Sequence, residues 1–190
     1  MNKELEYFKT NVVLRTANLE GFSDTDNLTH VAFGLCSEYG ELLEASVKND
    51  MVNAKEELGD LLWYVFLGVS IIDFDIEKED LKLTAENLDT HPATMLGIEV
   101  GNFQDSLKRN IFYGSQRNDV TIKLSLSRIL YSIGGICKTS NTTIYDCMKL
   151  NKMKLSQRYP DKFSNEGAIN RDTKKEREIL EDESLKLEKN

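Results

Sequence analysis

Glu38-Tyr39-Gly40-Glu41-Leu42-Leu43 and, after a short break, Lys55-Glu56-Glu57-Leu58-Gly59-Asp60-Leu61-Leu62-Trp63-Tyr64 carry two acidic pairs. Residues three apart on a helix share a face. Glu38 with Glu41, and Glu57 with Asp60, therefore each point two carboxylates the same way. Two such helices side by side aim four carboxylates into one space, where they repel strongly unless a cation sits among them. Carboxylate oxygens are hard donors that suit Mg²⁺, with Mn²⁺ as the alternative. A carboxylate-held Mg²⁺ keeps positions for water and phosphate oxygens, which points to a phosphate-bearing substrate. The plain alternative is four surface charges. Leu42, Leu43, Leu58, Leu61 and Leu62 oppose it, because they set the acids at the edge of a core.

Working outward, the chain reads as all-α. Its 190 residues fit one ordinary domain, and prolines occur only at Pro92 and Pro160. So few helix breakers leave room for long helices. Helices are expected at about 3–18, 28–47, 52–72, 94–112, 119–137 and 142–158, with a capped loop at 21–27 and a break at Asn49-Asp50. Leu58, Leu61, Leu62 and Val65 form a buried stripe on the third of these segments. Residues 73–93 are acidic and less regular. Residues 171–190 are highly charged and read as a solvated helix or a disordered tail. The net charge of −8, with no basic stripe, argues against a stable nucleic-acid partner. Cys36, Cys137 and Cys147 have no metal-ligand spacing and read as buried free thiols of a reducing, cytoplasmic setting. The first residues lack the apolar core of a signal peptide, and the apolar run 61–69 is too short to span a bilayer, so no membrane partner is expected.

The sequence also echoes itself. Glu38-Tyr39-Gly40-Glu41 returns as Glu99-Val100-Gly101-Asn102, and the stretch from Val52 to Trp63 returns from Val120 to Tyr131. The apolar frame is kept while Glu41, Glu57 and Asp60 give way to Asn102, Ser125 and Arg128. Any two amphipathic helices look somewhat alike, but the matching Gly, Lys and aromatic positions favour duplication. The expected layout is a domain over 1–170, with one repeat at about 28–72 keeping the acids and an acid-poor one at about 94–160. Arg128 puts a fixed positive charge where a metal ligand would be, so one metal site is expected.

The segment from His30 to Tyr64, with its ordered Glu-x-x-Glu and Glu-x-x-Asp motifs and flanking Gly and Leu residues, resembles the MazG-like all-α nucleoside triphosphate pyrophosphohydrolases. Asn151-x-x-Lys154-x-x-x-Arg158-Tyr159-Pro160-Asp161-Lys162-Phe163 resembles the segment after the last core helix in many phage and bacterial members, and Ile111-Phe112-Tyr113-Gly114 resembles the family's loop between its two acidic helices, here placed in the acid-poor half. The acids lie in the first half and the Asn/Lys/Arg-Tyr-Pro segment in the second, a layout similar to the dimeric dUTPases of the same superfamily, as if a dimer were fused into one chain. The resemblance implies Mg²⁺-dependent hydrolysis of a (d)NTP to the monophosphate and pyrophosphate, in nucleotide-pool control or house-cleaning. It implies a monomer that is a pseudo-dimer, or a homodimer.

On this reading Glu38, Glu41, Glu57 and Asp60 hold two or three Mg²⁺ ions. Glu41, with Glu38, is the candidate for orienting or deprotonating water. Lys154 and Arg158 share a helix face and are candidates for the β- and γ-phosphates, with Asn151 beside them. Spacing alone makes these three a solvated basic face; the resemblance favours function for Asn151 and Lys154. Lys55 is a further phosphate candidate or an exposed ion pair. His30 resembles a family position near the nucleobase, and Tyr64 is a stacking candidate, whereas Phe33 and Trp63 are expected in the core. Alternatives are a dUTPase or dCTPase, a phosphoribosyl-ATP pyrophosphohydrolase, and a non-catalytic helical interaction module.

Overall fold

Proline-poor sequence gives long helices here. The computed structural model describes residues 3–74 and 90–187; among them lie eight helices and no strand. They are α1 (Lys3–Phe8, running on through a π-helical turn, Lys9–Val13, into Leu14–Thr16), α2 (Asp24–Lys48), α3 (Met51–Ile71), α4 (Pro92–Tyr113), α5 (Asp119–Thr139), α6 (Ile144–Arg158), α7 (Asn165–Ile169) and α8 (Thr173–Leu187). Most of the acidic segment expected between α3 and α4 lies outside the described residues.

Local chemistry sets the boundaries. The second helix starts at Asp24, earlier than the apolar periodicity suggests, because Ser23 and Asp26 form a capping box. The Ser23 Oγ accepts the Asp26 N–H at 3.2 Å, and the Asp26 carboxylate accepts the Ser23 N–H at 3.0 Å. Asn49 ends α2 in the left-handed region at φ 56°. Asp50 then opens α3 by accepting the Asn53 N–H at 3.0 Å. These two residues fold α2 and α3 into a tight antiparallel hairpin. Gly114, at φ 67°, ends α4 in the same way before α5.

The α2–α3 and α4–α5 hairpins pack on one another through α2 against α4 and α3 against α5, and α6 lies along α3. Leu28, Leu35, Leu58, Leu61, Leu62, Phe66, Phe103, Ile122 and Leu126 fill the core and are buried. Each large apolar side chain removed from water contributes roughly 1.5–3 kcal/mol. Gly59 sets the approach of α3 to α6: a Cβ there would sit 2.7 Å from the Cys147 carbonyl oxygen and 3.0 Å from the Asn151 Cβ. Among the described helices α5 alone has the length and composition to cross a membrane, and half of its apolar window is buried in the bundle.

Three expectations need correction. Cys36 is exposed, whereas Cys137 and Cys147 are buried with their sulfurs 3.9 Å apart. Phe33 is 69% exposed instead of in the core, because it sits on the side of α2 that faces away from the bundle stripe of Leu28, Val31 and Leu35. The charged C-terminal segment is neither a solvated helix nor a disordered tail over residues 173–187. As α8 it docks on α6 and α3, burying Leu180 and Glu176. The charges that suggested solvation are what hold it. Glu176 takes Arg158 in a two-point pair at 2.6 and 2.8 Å, Arg177 takes Asp50 at 3.0 and 3.1 Å, and Lys149 meets Glu183 at 3.2 Å.

Breaking a buried ion pair strands its partner. Glu176→Ala is therefore expected to destabilise the fold by about 3 kcal/mol in urea denaturation, while Glu178→Ala on the exposed side of α8 changes little. Equal, negligible effects of the two substitutions would contradict the docked helix.

Candidate active site

The inner face of the α2–α3 hairpin, closed on a third side by α6, encloses a cleft of about 770 Å³. Helical spacing explains its α2 wall: Asn27 and His30, then Glu38 and Glu41 eight residues beyond His30, are close to whole turns apart and line it together. From α3 come Glu56, Glu57, Asp60, Trp63 and Tyr64, and from α6 come Asn151, Leu155 and Arg158. The four acids singled out in the sequence thus face one space, as do Asn151, Arg158, His30 and Tyr64.

The acids divide into three and one. Glu38, Glu41 and Glu57 each offer a carboxylate oxygen within 4.8 Å of the others. Burial pushes Glu57 up to about 9, helped by a hydrogen bond to Glu38 and by the charge of Asp60. Burial also pushes Glu38 up to about 7, with Asp60 adding to the rise and the Glu57 hydrogen bond opposing it. One proton shared between Glu57 and Glu38 relieves the repulsion when no cation does. Three crowded hard oxygen donors fit a divalent cation such as Mg²⁺ or Mn²⁺.

Asp60 is engaged differently. Its Oδ1 accepts the Asn151 side-chain N–H at 2.6 Å, and its Oδ2 pairs with the Lys154 ammonium. Lys154 also donates to Glu56 at 3.0 Å and is 2% exposed. Burial pulls the Lys154 pKa down, but Asp60 and Glu56 outweigh it and hold the ammonium charged. Arg158 is likewise raised, since Glu176 overcomes the cost of burying it. Lys154 and Arg158, expected at the phosphates, are thus both held by protein carboxylates. Lys55 is buried on α3 and is not on the cleft wall among the described residues. Asn151 uses its N–H on Asp60, while its Oδ1 is buried with no partner among the described residues.

At the other end the cleft is aromatic. Tyr64 packs edge-on against Trp63, with ring centroids 4.9 Å apart, and against His30 at 5.4 Å. The Trp63 N–H donates to the Thr16 hydroxyl at 2.9 Å, fixing the indole. Gly34 makes room for Tyr64: a Cβ there would lie 2.1 Å from the ring. Burial lowers the His30 pKa and favours its neutral form. Phe22 and Phe33, both exposed, line the same cleft.

Several wall residues carried no sequence signal of their own. Thr16, Asn18 and Phe22 arrive from α1 and the following loop, and Ala168 and Arg171 arrive beyond α6, next to Phe163 of the Asn/Lys/Arg-Tyr-Pro segment. Arg15 positions part of that far segment by donating to the Tyr159 carbonyl at 2.9 Å and the Asp161 carbonyl at 2.5 Å, a contact across some 145 residues that no local pattern announces.

Residues 27–86 match the family described as the MazG nucleotide pyrophosphohydrolase domain. No curated protein and no solved structure matches the chain. The matched segment, similar to that domain, holds all four acids, His30 and Tyr64; Asn151, Lys154 and Arg158 lie beyond it.

The acid trio makes stability depend on pH. Glu38 and Glu57 ionise near 4.5 in an unfolded chain and at about 7 and about 9 when folded. A raised folded pKa means that the folded state binds protons more tightly. The resulting stability is complete below the unfolded value and is lost as pH rises through the folded ones. A cation bound to the ionised trio offsets that loss. In EDTA the Tm is expected to fall between about pH 5 and pH 9, and Mg²⁺ is expected to raise it by an amount that grows across the same window. A Mg²⁺ effect independent of pH would contradict the trio as the cation site.

Proposed function

We propose that this chain is a divalent-metal-dependent hydrolase that cleaves a (deoxy)nucleoside triphosphate to the monophosphate and pyrophosphate. The observation that carries the reading is the convergence of Glu38, Glu41 and Glu57 in one cleft with an aromatic end, within a segment that matches a nucleotide pyrophosphohydrolase domain. The cleft volume is ordinary for a small-molecule site. Its wall carries six carboxylates against the guanidinium groups of Arg158 and Arg171. A triphosphate would be repelled from so acidic a wall without a counter-cation.

Glu38, Glu41 and Glu57 are the residues to hold Mg²⁺. The bound metal supplies charge stabilisation for the phosphates and acidifies water. The protein supplies the rest. Glu41 is the exposed member of the trio, which suits it to orient the attacking water and accept its proton. Asp60 completes the acidic set from a position pinned by Lys154 and Asn151, and its charge adds to the repulsion that a cation would relieve. Arg171 is the cation on the wall without a carboxylate partner among the described residues, and it suits the outer phosphates. The unpartnered Asn151 Oδ1 suits a donor such as a sugar hydroxyl. His30, Trp63, Tyr64, Phe22 and Phe33 offer aromatic faces and edges to a base. Neutral His30 adds a hydrogen-bonding edge without adding charge.

Hydrolysis to the monophosphate removes a particular nucleotide from the pool, which is the chemistry of pool control or house-cleaning. Pyrophosphate release from a panel including dUTP, dCTP, dGTP and phosphoribosyl-ATP tests the reading. Release is expected to need Mg²⁺ or Mn²⁺ and to fall about a hundredfold or more in Glu57→Gln, with the best substrate naming the specificity. Unaltered release by Glu57→Gln, or full activity in EDTA, would sink the assignment. A folded protein inactive on the whole panel would favour a helical interaction module.

A further inference from the structure

The second hairpin has a cleft of its own. It measures about 420 Å³ and takes in Glu99, Asn102, Ser125 and Arg128. These are the four positions that echo Glu38, Glu41, Glu57 and Asp60 in the sequence, and those four line the first cleft. The helices correspond as well. Met51–Ile71 and Asp119–Thr139 are each 21 residues long. Each is opened by a side chain that accepts the N–H three residues on, Asp50 from Asn53 at 3.0 Å and Asn118 from Thr121 at 3.1 Å. Ser125 is buried at 2% where its counterpart Glu57 is buried at 4%.

The charge balance differs. Glu99, buried like an acid of the first site, is met by Arg128 at 3.1 Å, its side chain 3% exposed against 38% for Arg128. The carboxylate therefore lies beneath and the guanidinium on the cleft side. Among the described residues, Arg128 spends one N–H on Glu99 and keeps the rest of its donor fork. Arg109, its side chain 66% exposed, stands on the same wall and spends its Nε–H on Asp105 at 2.6 Å, which leaves its terminal N–H groups toward solvent. Ser106, Gln116 and Thr121 add neutral donors, and Leu124 is the sole apolar member of the lining among the described residues. Two guanidinium groups thus balance two carboxylates, where the first cleft is strongly acidic. A guanidinium matches phosphate oxygens in a way that needs no metal, and it cannot acidify a water as a metal does.

We propose that α4–α5 is a diverged copy of α2–α3 and that its cleft binds a phosphate oxyanion, free or carried by a nucleotide, without a divalent cation and without hydrolysing it. The proposal does not rest on hydrolysis at the first cleft. EDTA silences that cleft, so the two readings fail separately.

Isothermal titration of the full chain with inorganic pyrophosphate in EDTA provides the test. One saturable site per chain is expected. Arg109→Ala, a change at an exposed side chain, is expected to weaken binding about tenfold or more, and the charge-matched pair Glu99→Gln with Arg128→Gln to abolish it. Mg²⁺-dependent turnover at the first cleft should survive Arg109→Ala. Repeating the titration with inorganic phosphate and with a dNTP identifies the source. Equal affinities for pyrophosphate and dNTP support a site for phosphates alone, and a clear preference for the dNTP supports a nucleotide site. Absence of binding at millimolar pyrophosphate, or wild-type affinity in both variants, would overturn the proposal.

Discussion

The buried ammonium of Lys154 is the constraint around which the first cleft is built. A charge almost fully removed from water is tolerable only when paired and hydrogen-bonded, and Lys154 meets both Asp60 and Glu56. Both carboxylates lie on α3 while Lys154 lies on α6, so satisfying this charge fixes α6 against the hairpin. Gly59 makes that approach sterically possible, because any side chain there would strike the α6 backbone at Cys147. The cleft's third wall exists because these two requirements, one electrostatic and one steric, are met one residue apart.

The same pairing sorts the acids. With Asp60 paired to Lys154, the acids of the two motifs left without a basic partner among the described residues are Glu38, Glu41 and Glu57, whose oxygens converge. Their mutual cost is visible in how far burial and repulsion lift Glu57 and Glu38 above the usual carboxylate range. A purely structural core has no use for such an arrangement, since apolar side chains of similar volume would be more stable. Acidic side chains held in this state suit a cleft that gains a cation together with its substrate.

Much of this was legible in the chain. Helices α2, α3, α4, α5 and α6 follow from apolar periodicity and from the scarcity of proline, and the acidic motifs reach one space because their three-residue spacing fixes a common face on α2 and on α3. What the sequence concealed is of another kind. Lys154 and Arg158 share a face, but whether they meet phosphate or protein carboxylates depends on Glu56, Asp60 and Glu176, which lie far away along the chain. Charge density in residues 173–187 suggested solvation, yet pairing with Arg158, Asp50 and Lys149 docks the segment as α8. Phe33 is a core residue by type, yet its position on α2 puts it outside the stripe that the neighbouring leucines define. Pairing across long separations and the choice of which aromatic faces water are tertiary properties, and local pattern does not encode them.

The two hairpins answer one electrostatic problem in two ways. Each sets a glutamate at the corresponding place on its first helix, half-buried at Glu38 and buried at Glu99, and each must neutralise it. At Glu38 the neutralising groups are a shared proton on Glu57 or a cation among three acids; both are exchangeable, so the charge of that cleft varies with pH and metal. At Glu99 the neutralising group is Arg128, which is covalently part of the chain and does not exchange with solvent. A site whose positive charge can come and go suits turnover, because product release can follow the loss of a weakly held ion. A site whose positive charge is fixed suits retention. If the two hairpins are copies, as proposed, Arg128 in place of Asp60 is a change of chemistry, from reversible to permanent neutralisation, made on a kept apolar frame.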